Sequence, residues 1–238
     1  MTAMSLDESA RLARRTKTRL WLVALVGVAL TAVASLALFG PRTQVTPPVG
    51  RTVEPPTSGP YLSTSTLVLP VPTGMLNGIP VGYPHSAEGA IAAASYFIEA
   101  FDSLEPGPAI SWAHTVAVPG QGEAMAAEAA QGVAAIRASG GLATTGSTFG
   151  SSISYRPRAY RLGAAAPDRV VVWLLTELSG SFDGGAPVVK PAVVGFELAW
   201  TGYDWRMSYN SPVPVPAAAI PGSADAREKG WRNLVEQS

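Results

Sequence analysis

"GYPHSAEGAIAAASYF" (residues 82–97) decides the fold, because it holds the start of an alanine-rich helix with one continuous apolar side. Ala90, Ile91, Ala94 and Phe97 follow the i, i+3, i+4, i+7 spacing of a helix that packs against a core. The apolar pattern continues as far as Leu104 and stops before a proline. We therefore expect a folded domain that begins near residue 81 with a core helix.

The polar residues at the start of this helix allow two interpretations. Ser86 can act as the N-cap, with Glu88 at N2 beside the positive end of the helix dipole, or His85 is the boundary residue and Glu88 lies at N3, the capping-box position. A catalytic or metal site needs a suitably spaced third group, and the second histidine, His114, lies far along the chain. The pattern favours a cap, and we expect no catalytic residue, cofactor or metal here.

Helices are followed by strands in the rest of the domain. The apolar spacing predicts further helical segments at 110–116 and 123–139, and a period of two predicts strands at 151–162, 168–178, 193–200 and 203–208. Pro157 indicates an edge or a bulge in the first of these strands. The order predicts an α+β domain in which a curved antiparallel sheet wraps the first helix.

The last two strands form a predicted hairpin with defined sides. Alternation places Trp200, Tyr203 and Trp205 on the apolar side, and it places Glu197 on the solvent side. Asp204 and Arg206 are expected opposite the aromatic residues.

Composition excludes several classes of function. The 238 residues carry 17 basic and 17 acidic side chains, and from residue 81 onward ten basic residues face fourteen acidic ones. A mildly acidic domain has no footprint for nucleic acid. The chain has no cysteine, which removes disulfides and thiolate metal sites.

Residues 20–40 are predicted to form a transmembrane helix. The stretch 20–39 has no charge and would be about 30 Å long as a helix, the thickness of a bilayer core. The basic tail at 1–19 places the N-terminus in the cytoplasm and the domain outside. A cleaved signal peptide is the alternative, because Ala32-Val33-Ala34 resembles a cleavage site.

Small residues recur every four positions along this predicted span. Gly27, Thr31 and Ser35 would form one ridge, the pattern that allows two membrane helices to approach closely. The ridge raises the hypothesis of a homo-oligomer, and chance spacing in an alanine-rich span is the alternative.

Two proline-rich segments flank the domain. Residues 41–80 contain nine prolines and predict a semi-rigid extracytoplasmic linker, although the apolar run at 67–71 favours docking on the domain. The cone domain is assigned to 81–211. Residues 212–238 are assigned to a proline-rich tail with a short terminal helix that Ser223 caps.

The opening "GYPHSAEGAIAAASY" and the closing "ELAWTGYDWRM" (residues 197–207) resemble an actinobacterial group of proteins. These are single-span membrane proteins with an uncharacterised cone-shaped domain related to nuclear transport factor 2. Similar domains form the outer parts of inner-membrane scaffolds in conjugation and type IV secretion. The resemblance covers roughly residues 78–210, and it implies a fold and a cell-surface position without a catalytic residue.

Two functions are compatible with these features. The first is a non-enzymatic scaffold in the cell membrane that binds other envelope proteins, with Trp200 and Tyr203 as the partner surface. The second is a small-ligand carrier or funnel-type enzyme of the same fold, with Tyr96, Asp102 and Glu177 as pocket candidates.

Overall fold

The computed structural model describes residues 66–209, 213 and 215–235. The predicted basic tail, the transmembrane helix and its Gly27, Thr31 and Ser35 ridge lie outside the described residues, as does the linker as far as residue 65. Among the helices that are described, none is long and apolar enough to cross a membrane.

Four helices are described. They are α1 (Ala87–Glu99), α2 (Pro106–Val116), α3 (Gly122–Ser139) and α4 (Ala224–Glu228). Helix α1 is buried on almost every side, from Gly89 to Ser95 and again at Phe97 and Ile98. It contacts the strands from β3 to β7, as expected for the helix at the centre of a curved sheet. Alanine suits this place because it forms helix readily and lets strands approach closely.

The strands form a six-stranded sheet and a small hairpin. They are β1 (Thr66–Val68), β2 (Gly74–Leu76), β3 (Ile79–Val81), β4 (Ser152–Ala166), β5 (Arg169–Ser181), β6 (Val188–Trp200), β7 (Trp205–Ser208) and β8 (Arg232–Val235). The sheet order is β1-β8-β4-β5-β6-β7, and β2 pairs with β3 separately. The fold class is therefore α+β with a curved sheet, as predicted. The sheet is mixed rather than purely antiparallel, because β1 runs parallel to β8.

Pro157 lies at a bulge, one of the two positions that the sequence allowed. The register of β4 against β5 shifts between Pro157 and Ala159. Directly after the shift, β8 pairs with β4 at Ala159 and Tyr160. The bulge therefore separates the part of β4 that pairs with β5 alone from the part that also pairs with the C-terminal strand.

The C-terminal segment belongs to the fold, and it contains the predicted short helix capped by Ser223, but the helix ends earlier than predicted and a strand follows. Ser223 caps only the short α4, since its Oγ accepts a hydrogen bond from the Ala226 N–H. The chain then leaves the helix after Lys229 and enters the sheet as β8. Trp231 is 2% exposed, and it packs with Leu175 and Val193 on the outer face of the sheet. The 81–211 boundary therefore omits elements on both sides, namely β1 to β3 and β8.

Both faces of β5 are covered as a result. Its inner side chains pack against the helices, while Leu175 on its outer side packs under the C-terminal segment. Val172 and Leu174 on one side and Leu175 on the other are fully buried, so the strand carries apolar residues on both sides.

Substitution Trp231→Ala should lower the free energy of unfolding by about 3 kcal/mol, because it removes a buried aromatic side chain that joins the C-terminal segment to the sheet. Urea unfolding followed by circular dichroism measures the loss. Glu228→Ala, at an exposed position two residues outside this contact, is the matched control and should change stability by less than about 0.5 kcal/mol. Equal effects would contradict the outer-face packing.

Stability should also fall as the pH rises above about 10. Burial raises the pKa of Tyr155, and burial together with the nearby Asp204 carboxylate raises the pKa of Tyr83. The unfolded chain then ionises these tyrosines while the folded chain keeps them protonated, so their contribution is full below pH 10 and declines above it. The urea midpoint, measured from about pH 8 to about pH 11, should fall less steeply in Tyr155→Phe. An unchanged slope would contradict this linkage.

Candidate functional site

The Asp204 carboxylate joins the two motifs at the ends of the domain. Its oxygens accept hydrogen bonds from the backbone N–H groups of Gly82 at 3.0 Å and Tyr83 at 3.1 Å, and from the N–H of Trp205 at 2.9 Å. The guanidinium of Arg206 pairs with the same carboxylate. Asp204 and Arg206, predicted opposite the aromatic residues, are buried, at 2% and 6% exposed. Burial of this ion pair is tolerated because the carboxylate accepts hydrogen bonds from these backbone N–H groups and from Arg206.

Two further contacts hold the start of α1 against this hub. The indole N–H of Trp205 donates to the Pro84 carbonyl at 2.9 Å, and the Tyr83 hydroxyl donates to the Pro80 carbonyl at 3.0 Å. Gly89 is required where the helix passes this segment, since a Cβ there would lie 1.9 Å from the Pro84 oxygen. The approach of the chain to α1 is thus fixed by backbone contacts.

Ser86 is the N-cap of α1. Its Oγ accepts a hydrogen bond from the Gly89 N–H at 3.2 Å, and Glu88 lies in the first turn of the helix. Of the two capping arrangements considered, the structure has the one with Glu88 at N2.

His85 has partners that the sequence did not reveal. Its Nε2 lies 2.8 Å from the Asp168 carboxylate and 2.9 Å from the Pro167 carbonyl oxygen, in the turn between β4 and β5. Its ring stacks on Trp200 with the centroids 4.2 Å apart and 12° between the planes. These contacts join three separate parts of the chain at one end of the sheet. His114 is elsewhere, 3.9 Å from the exposed Glu123.

We call the side chains at this end of the sheet the aromatic turn surface: His85 contacts Asp168 and Trp200, and Tyr203 lies in the turn that follows β6. Trp200 is half-buried and packs edge-on against Trp205. Tyr203 lies in the turn between β6 and β7 and is 68% exposed. Because Thr201 donates two hydrogen bonds to the Asp204 carbonyl, this turn is held from below. Tyr203 was predicted on the apolar side of the hairpin, and instead it projects from the turn beside the Arg206 guanidinium.

The three pocket candidates are not brought together. Tyr96 is half-buried and stacks with Tyr83 at 6.0 Å, and Asp102 is exposed after the end of α1. Glu177 lies on the outer side of the sheet, where it pairs with Arg158 at 2.8 Å. It also lines an open groove of ≈ 580 Å³ with Ser154, Arg156 and Ser179. Neither Tyr96 nor Asp102 lines this groove.

Glu197 differs from its predicted position. It is 7% exposed, and its carboxylate lies 3.3 Å from the Arg169 guanidinium. Phe196 and Leu198 lie in the core as predicted, but Glu197 is buried instead of facing solvent.

The space between the helices and the sheet is filled by side chains. A cavity of ≈ 30 Å³ remains where α2 and α3 meet β6 and β7, lined by Trp112, Met125 and Phe196 among others. This volume equals about one water molecule's share of liquid water. In residues 66–235, as far as they are described, no cluster of histidine and carboxylate groups is suited to a metal ion.

A family model described as a domain of unknown function, DUF8175, matches residues 70–226, more than half of the chain. No curated protein and no solved structure matches the chain. The matched range contains the Asp204 hub and the whole aromatic turn surface.

Substitution Asp204→Ala should lower the free energy of unfolding by roughly 3–5 kcal/mol, because it leaves the Arg206 charge buried without a counter-ion and removes the acceptor of three backbone N–H groups. Urea unfolding gives the change. The double variant Asp204→Ala/Arg206→Met should lose less than the sum of the single variants, since it removes the uncompensated charge. Additive losses would contradict the coupling of the two side chains.

Proposed function

We propose that this chain, which belongs to the DUF8175 family, is a membrane-anchored interaction protein that docks other envelope proteins through its aromatic turn surface. The observation that carries the proposal is Tyr203, 68% exposed on a turn whose backbone is held by a buried carboxylate. An exposed aromatic ring offers a large contact area, and a rigid support lowers the entropy lost on binding. Tyrosine and tryptophan are enriched among residues that carry binding energy at protein interfaces.

The filled interior favours docking over ligand chemistry. A funnel-type enzyme or small-ligand carrier of this fold would need an enclosed apolar pocket that holds a polar group. Tyr96 packs on another ring, and Glu177 is neutralised by Arg158 in an open groove. The groups available for chemistry are thus separated, while those available for contact are adjacent.

We also propose a fold relationship, a membrane anchor and an assembly for this chain. Three helices followed by a curved sheet support a cone related to nuclear transport factor 2, with α1 as its axis. Residues 20–40 would anchor the chain as a single span with the N-terminus in the cytoplasm, and the proline-rich segment would project the domain outside. A conjugation or type IV secretion assembly is proposed on the resemblance of the two motifs, with Gly27, Thr31 and Ser35 as a homo-oligomer contact in the membrane.

Substitution Tyr203→Ala should abolish capture of the envelope partner and leave the fold intact. The side chain is mostly exposed, so its loss should change the free energy of unfolding by less than about 0.5 kcal/mol. The measurement is crosslinking in intact membranes, followed by affinity purification and mass spectrometry of co-purified proteins.

The matched control is Val189→Ala, because Val189 is 60% exposed at the opposite end of β6. It should retain the same partners as the unsubstituted chain. Recovery of the protein alone as a monomer with a bound small molecule would contradict the proposal and favour the carrier.

A further inference from the structure

We infer that the aromatic turn surface binds the chain's own proline-rich segment, residues 46–60, which folds back onto the domain and must be displaced by a docking partner. The inference rests on the proposed function, since it assigns an occupant to the same surface. Its basis is the direction in which the chain enters the sheet, together with the composition of the segment and the charge beside the rings.

Strand β1 brings the preceding chain to the correct end of the sheet. β4 runs upward to the turn that contains Asp168, and β8 runs antiparallel to β4. Because β1 is parallel to β8, it runs downward from Thr66, and the chain that precedes Thr66 enters from the end where Asp168 and Trp200 lie. The proline-rich segment therefore approaches the surface from its own side of the domain.

The distance can be spanned. Thr66 is level with Ala159, seven residues below the top of β4, and β1 is four strand positions from β6. Strand rise and strand spacing then place Thr66 about 30 Å from Trp200. Ten residues of polyproline II helix cover about 31 Å, which is the separation of Pro56 from Thr66 along the chain. More residues separate Pro47 and Pro48 from Thr66, so these prolines can also reach Trp200.

The segment has the composition that such a surface recognises. It contains the pairs Pro47-Pro48 and Pro55-Pro56, which favour the extended polyproline II conformation. Such helices dock on aromatic surfaces because their shape is already formed in the free chain. His85, Trp200 and Tyr203 supply the rings.

Charge gives the segment a register. Two charged residues, Arg51 and Glu54, lie between the two proline pairs. The Asp168 side chain is 71% exposed at the edge of the rings and offers a carboxylate to a cation. Arginine pairs well with carboxylates, so Arg51 opposite Asp168 would set which prolines contact the rings.

Tethering makes even a weak contact effective. A short linker produces a local concentration on the order of 1 mM, so a segment with a dissociation constant of about 1 mM would occupy the surface for about half of the time. A partner would then bind about twofold more tightly to a chain that lacks the proline pairs. The segment thus acts as a built-in competitor and shortens the projection of the domain.

The test places the photo-crosslinking residue p-benzoylphenylalanine at position 203 of the full-length protein. Irradiation of the purified protein in detergent, followed by mass spectrometry, should give crosslinks to residues 46–60 of the same chain. The same residue placed at position 189 should give none. The variant Pro47→Ala/Pro48→Ala/Pro55→Ala/Pro56→Ala should lose the crosslink and capture the membrane partner about twofold better at subsaturating partner concentration.

The outcomes separate this inference from the proposed function. The same position-203 protein is also irradiated in intact membranes. Capture of an envelope protein there, with no crosslink to residues 46–60 in either preparation, overturns the inference and leaves the proposed function in place. If position 203 crosslinks neither to residues 46–60 nor to an envelope protein, both the inference and the proposed function are overturned. A crosslink that survives the four alanine substitutions, or one that mixed ¹⁴N and ¹⁵N protein shows to run only between copies, overturns the inference alone.

Discussion

A single buried carboxylate, that of Asp204, connects the beginning of the folded domain to its last antiparallel hairpin. It accepts hydrogen bonds from two backbone N–H groups in the segment before α1 and from one in β7, and it forms an ion pair with Arg206. These hydrogen bonds offset the loss of hydration of the buried carboxylate. The hub therefore sets where α1 enters the sheet and holds the turn from which Tyr203 projects. The packing of the core and the presentation of the surface depend on the same group.

This domain differs from a simple layer of helices on a sheet, because a segment of the chain also packs on the outer face of the sheet. The C-terminal segment crosses that face, places Trp231 against Leu175 and Val193, and returns to the sheet as β8. The last strand then holds β1, the first described element, in parallel. The two ends of the described chain are thus fixed to one another, and the proline-rich segment leaves the domain at a defined place and in a defined direction.

Contact chemistry is concentrated at one end of the sheet. His85 lies just before α1, and it contacts Trp200 at the end of β6 and Asp168 in the turn between β4 and β5. Elsewhere, Glu177 is held by Arg158, and a cavity of ≈ 30 Å³ lies where α2 and α3 meet β6 and β7. A surface with adjacent rings and a rigid base suits recognition of an extended segment, whether it comes from a partner or from the chain itself.

The sequence by itself determined the helix-then-strand order, the α1 and α3 positions, the bulge at Pro157 and the α+β class, because periodicity and breakers act over a few residues. Only the tertiary structure decided the burial of Asp204, Arg206 and Glu197, the pairing of His85 with Asp168, and the conversion of the expected terminal helix into β8. Each of these depends on a partner distant in sequence: alternation identifies the two sides of a strand, but not which segment later covers them. The hub at Asp204 could not be predicted for that reason, since the Gly82 and Tyr83 donors lie more than a hundred residues earlier.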